Sequence, residues 1–160
     1  MSLDATVGGS SSNSYVTVLE ADAYFADRLY ASAWTGDDKA TALVTAARRL
    51  DQEDYLGYRA TNEQAMKWPR YDTGDEDGRW YASDSIPQPV RDAQCELALY
   101  LLETDGLKQS RLSNFVHLKI GPLDLTPKHP QTSGSLPAVV VRLLRHLLAT
   151  SPGTIRMVRG

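Results

Sequence analysis

The chain has 160 residues and a formal net charge of -3, with 42% hydrophobic and 23% charged residues. That length suits one domain with a single buried core, and the composition excludes disorder throughout. The negative balance excludes a global attraction to nucleic acid or anionic membrane, and no run approaches the roughly 18 apolar residues needed to span a bilayer.

Residues 1–14 are rich in Ser and Gly and lack the basic start and apolar centre of a secretory signal. They read as a flexible arm on a protein made in the cytoplasm. Thr17 and Glu20 have the spacing of a capping box, which predicts a first helix running to about Ala31. Leu19, Ala23, Ala26 and Tyr30 share one face of it, with Phe25 and Leu29 beside them, and the Tyr24/Phe25 pair is expected to anchor the core. Gly36 and Asp37 open a second helix to about Tyr55, with Ala40, Leu43, Ala47, Leu50 and Tyr55 as its buried stripe. Gly57 is its stop.

Residues 58–85 read as irregular, with an exposed acidic loop that carries Asp72, Asp75, Glu76 and Asp77 and a turn at Asp77-Gly78. Pro87 and Pro89 open a third helix, because a first turn has amides to spare. Val90, Ala93, Leu97, Tyr100 and Leu101 form its stripe, and Asp105-Gly106 ends it. Alternation from Phe115 to Ile120, then Gly121-Pro122, then Leu123 and Leu125, predicts a short hairpin. After a loop from Lys128 to Ser135, Pro137 opens a last helix to about Thr150. Ser151-Pro152-Gly153 stops it. The expected fold is mainly α: a small bundle of about four helices with a short β-hairpin and extended terminal arms, its single domain over 15–150 and a tail over 151–160.

Few residues suggest chemistry. His117, His129 and His146 lack a second His or a Cys at metal-ligand spacing. Cys95 is the sole cysteine and lies in an apolar helical pattern, as a small hydrophobe would. No phosphate-cradling Gly-rich motif and no nucleophile elbow occurs. Asp75, Asp77 and Gly78 look like a fragment of a calcium loop, but Asp84 and Ser85 stand where its closing Glu belongs, which favours a solvated loop. The expectation is no catalytic site, no metal and no cofactor.

Two other features point to binding. Tyr55, Tyr58, Arg59, Lys67, Trp68, Arg70 and Tyr71 could stack bases and hold phosphates; the plainer reading makes Trp68 a core plug and gives Arg70 an acidic partner. From Pro137 to Gly160 there are Arg142, Arg145, Arg156 and Arg159 and no acid. Such separation of sign suits a head-to-tail contact or an acidic partner. Arg142, Arg145, Arg156, Met157, Val158 and Arg159 are therefore the candidate contact residues for a neighbouring subunit or other partner. The acidic loop is a second candidate, facing a channel or a neighbour.

The order of several short motifs resembles the head–tail connector, or adaptor, proteins of tailed bacteriophages. Ser14-Tyr15-Val16 leads into Leu19-Glu20-Ala21-Asp22-Ala23-Tyr24-Phe25, then Trp34, then Ala46 to Leu50 with Asp51. Gln64-Ala65-Met66-Lys67-Trp68-Pro69-Arg70 follows, then Ile86-Pro87 before Val90, Ala93 and Cys95-Glu96-Leu97-Ala98, then Lys119-Ile120-Gly121-Pro122-Leu123. Met66 departs from the branched residue usual at its place. Related sequences also carry a DnaT-like, single-stranded-DNA-binding description. The resemblance implies a structural virion protein, a homo-oligomeric ring often of twelve subunits. It would sit under the portal protein, meet a tail completion, terminator or stopper protein, and surround phage DNA without sequence-specific contact or membrane. The alternative is a single-stranded-DNA-binding protein, which needs the aromatic–basic cluster to be exposed.

Overall fold

The computed structural model describes residues 2–104 and 136–149. Within them lie four helices and one short hairpin: α1 Val18–Ala26, α2 Lys39–Leu50, β1 Tyr58–Arg59, β2 Arg70–Tyr71, α3 Gln88–Thr104 and α4 Ala138–Leu144. α3 is the central element and packs against both α2 and α4. The expected hairpin over 115–125, His117 and His129 lie outside the described residues. The hairpin among the described residues falls instead in the stretch read as irregular.

α1 starts as its capping box dictates. Thr17 Oγ1 accepts the Glu20 amide at 3.2 Å, and the Glu20 carboxylate accepts the Thr17 amide at 2.7 Å. The helix ends at Ala26 rather than near Ala31, and Tyr30 has a φ of 59°, a left-handed conformation that no α-helix accommodates. Of the face expected inside, Leu19, Ala23, Ala26 and Tyr30 are exposed; Ala21 is buried, and so is Phe25, as expected of a core anchor. Aromatic packing decides this orientation. The Phe25 ring lies 4.6 Å from that of Trp34 and meets Tyr24 edge-on at 5.1 Å.

α2 buries Ala42, Leu43, Val44, Ala46, Ala47 and Leu50, close to the expected stripe. It stops at Leu50, and Tyr55 reaches the core from the following loop, its hydroxyl donating to Leu50 O at 3.0 Å. α3 carries Pro89 in its first turn and buries Val90 and everything from Ala93 to Leu99. Full burial of a Leu such as Leu43, Leu50 or Leu97 contributes about 1.5–3 kcal/mol each. α4 inserts Val140 and Leu144, then ends at Leu144 instead of near Thr150. A turn over 145–147 follows, in which the Leu147 and Leu148 amides donate to Leu144 O at 2.8 and 3.0 Å, and residues 147–149 then lie beside 54–56. Leu56 N–H donates to Leu147 O at 2.9 Å, and Ala149 N–H to Asp54 O at 2.8 Å. Those bonds, with Leu147 fully buried, take the chain away from a continued helix.

The segment expected as a mobile arm is tied to the domain over residues 2–14. The Asn13 and Ser14 amides donate to Asp4 O at 2.9 and 3.1 Å, Asp4 N–H donates to Asn13 Oδ1 at 2.8 Å, and Ser12 and Ser14 are buried. Gln94, fully buried in α3, pins this segment to the helices. Its Oε1 accepts the Tyr15 amide at 2.9 Å, and its Nε2 donates to Ser14 Oγ at 2.7 Å and Leu43 O at 2.9 Å. A buried amide satisfied on three sides fixes one register for three pieces of chain.

Candidate interaction surface

The aromatic–basic cluster divides into a buried half and an exposed half. Trp68 is 1% exposed and meets Tyr55 edge-on at 5.5 Å. Arg70 is buried too, and its partner is not the acid expected from sequence. Its Nε donates to Leu56 O at 2.7 Å, Nη2 to Gly57 O at 2.6 Å and Tyr55 O at 3.3 Å, and Nη1 to Lys67 O at 3.2 Å. The planar fork clasps the 55–57 turn onto the hairpin. Burial, and then the nearby Arg59, hold its pKa below the usual guanidinium value. Gly57 completes the turn at a φ of +68°, and a Cβ there would lie 2.3 Å from Tyr71 O. Lys67 is also engaged, Nζ donating to Glu53 O at 2.5 Å and its amide to Asp51 Oδ2 at 3.2 Å.

The exposed half is Tyr58, Arg59 and Tyr71. Register pairs Tyr58 with Tyr71 and Arg59 with Arg70, so the two tyrosines share a face and stack at 5.4 Å. They are 61% and 49% exposed. Trp80, 71% exposed, is a further aromatic on the surface that sequence reasoning did not single out. The available signal was an aromatic residue standing in a polar, acidic loop.

That loop is itself a tight turn. Gly74 pairs with Trp80, Asp75 N–H donates to Arg79 O at 2.9 Å, and Asp75 Oδ1 accepts the amides of Asp77 at 3.0 Å and Arg79 at 2.8 Å. The Asp75 carboxylate thus serves its own backbone. Among the described residues, no three His, Cys, Asp or Glu side chains converge as a metal site. Glu76 forms an exposed ion pair with Arg145 at 2.9 Å, which lowers the Glu76 pKa. The fold therefore joins two groups that the sequence kept apart, the acidic loop and an arginine of the C-terminal segment. His146 lies beside them, its Nε2 3.2 Å from Tyr81 Oη. Arg142 is exposed on α4. Arg156, Met157, Val158 and Arg159 lie outside the described residues.

Between the 74–80 turn and the end of α4 is an open cleft of about 630 Å³. Leu56, Trp80 and Leu148 supply its apolar wall, and Asp72, Asp75 and Glu76 its acidic rim, with Arg145 and His146 on the α4 side. Cys95, by contrast, is buried in α3, and burial pushes its thiol up to about 12, far from a thiolate nucleophile.

These features define a small helical domain whose surface offers aromatic and acidic groups for binding. The family described as "Putative DnaT-like ssDNA binding protein" matches residues 1–160, and the chain belongs to it. That description names single-stranded DNA and not a head–tail connector. No curated protein and no solved structure matches the chain.

Proposed function

We propose that the protein is a structural adaptor of a tailed phage, a protomer that assembles into a ring under the portal and joins it to tail components around the DNA channel. The observation that carries this reading is the spread of exposed apolar side chains over different elements. Leu19, Leu29 and Tyr30 lie on α1 and just beyond it, Tyr58, Tyr71 and Trp80 on the hairpin and the acidic turn, and Val139 and Val141 on α4. Exposed apolar patches mark contact surfaces. A head-to-tail ring needs two different patches on every subunit. The sequence resemblance points the same way. Mass measurement of the chain, alone and mixed with the portal, tests it. The expected result is a multi-copy complex in the mixture. A chain that stays single and unbound in both refutes the reading.

The second reading, single-stranded-DNA binding, is favoured by the family's description and by the exposed Tyr58–Tyr71 pair beside Arg59. Stacking one base on an aromatic is worth about 1–3 kcal/mol, whereas affinity for the backbone needs cations. Here Trp68 and Arg70 are buried, and the exposed Asp72 follows Tyr71 directly in the chain. Oligonucleotide titration separates the readings. Salt-sensitive binding that Tyr58→Ala/Tyr71→Ala abolishes without lowering the melting temperature establishes the DNA reading. Absence of binding at low salt removes it.

A further inference from the structure

We infer that the cleft between the 74–80 turn and the end of α4 is the docking site for residues 154–159 of a second copy of this chain. The inference deepens the adaptor reading and rests on it for the presence of a second copy. Three observations carry it.

The first is chemical match. The cleft sets Leu56, Trp80 and Leu148 against three carboxylates, Asp72, Asp75 and Glu76, which outnumber the one arginine in its lining, Arg145. Residues 154–159 hold Ile155, Met157 and Val158 for the apolar wall, and Arg156 and Arg159 for the rim, with no acid among them. An extended strand that alternates Ile155, Arg156 and Met157 presents apolar and basic groups to opposite sides.

The second is the exchangeability of the pair now at the rim. The Glu76–Arg145 ion pair is exposed, with side chains 59% and 73% accessible. Such pairs are worth little, so an incoming arginine can take over Glu76 at small cost.

The third is the path of the chain. Leu147 O accepts from Leu56, and Ala149 N–H donates to Asp54 O, so the backbone passes the cleft at Leu56 and by Ala149 lies beside Asp54, which is not part of the cleft lining. Residues 150–160 follow, and extended chain covers about 3.3–3.6 Å per residue, a total of roughly 35–40 Å. That exceeds the radius of a domain this size and reaches an adjacent copy. Every copy carries both the cleft and the segment that fits it, so each contact leaves one cleft and one segment free for the next. A rotation that closes this head-to-tail chain makes a ring.

The test uses two full-length variants, Asp77→Cys, in the turn between the cleft-lining Glu76 and Gly78, and Met157→Cys in the segment, with buried Cys95 left in place. They are mixed, with portal present where the mass measurement shows that assembly needs it, and mildly oxidised. The expected product is a covalent pair of one chain of each variant, absent when either is oxidised alone. Glu76→Lys in the Asp77→Cys chain lowers its yield severalfold, and Arg156→Glu in the other chain restores it. A chain bearing both cysteines that closes only on itself overturns the inference, as does a Met157→Cys cross-link to portal alone. An assembly of the expected mass with no cross-link overturns it and leaves the adaptor reading standing. A chain that never assembles overturns both.

Discussion

Arg70→Lys isolates what the buried guanidinium contributes. The native side chain reaches four backbone carbonyls, those of Tyr55, Leu56, Gly57 and Lys67, at 2.6–3.3 Å. A hydrogen bond to a charged group contributes about 1.5–3 kcal/mol, and a buried acceptor left without a partner costs about 1–3 kcal/mol. An ammonium keeps the charge but cannot span the fork, so it retains part of the set. The expected net loss is about 3 kcal/mol, a large share of the 5–15 kcal/mol typical of a domain. For a chain of this size that lowers the melting temperature by about 6–12 °C. Near-UV circular dichroism follows the melt, and oligonucleotide titration of the folded variant runs beside it. A melting temperature within about 2 °C of the native value refutes the clasp, since the expected shift is several times larger. Should DNA affinity disappear while that temperature holds, Arg70 acts at the surface and the assignment of it to the fold is wrong.

Gln94→Leu keeps the shape of the central α3 side chain but strips the Tyr15 amide of its acceptor and Ser14 Oγ of the donor from α3. The expected loss is about 3 kcal/mol, seen as a lower urea midpoint, and an unchanged midpoint would count against Gln94 as the pin. Asp51→Asn concerns pH. Burial raises the Asp51 pKa above its usual value of 3.8, so its protonated form favours the fold, and that stability is lost as pH rises through the folded-state value. The variant lacks the ionisation, so its melting temperature should gain on the native protein's as pH climbs from about 4 towards neutrality; a constant gap refutes the assignment.

Helix existence was legible in sequence because it depends on local terms. The Thr17–Glu20 box, the prolines before α3 and α4, and the apolar periodicity of α2 and α3 are read within a few residues. Where helices end, and which face turns inward, was decided at long range. α4 stops at Leu144 because residues 147–149 find hydrogen bonds with 54–56, almost a hundred positions away in the chain, as the 2.9 Å Leu56–Leu147 bond shows. α1 turns Phe25 inward because Trp34 is there to receive it, leaving Leu19 79% exposed. Composition placed Tyr58, Trp68, Arg70 and Tyr71 in one cluster, but only packing sorted them. Strand pairing puts Tyr58 and Tyr71 on the outer face, while the unpaired carbonyls of residues 55–57 draw Arg70 inward. A periodic pattern shows that a side chain has a face; which partner covers that face depends on segments the local pattern does not contain.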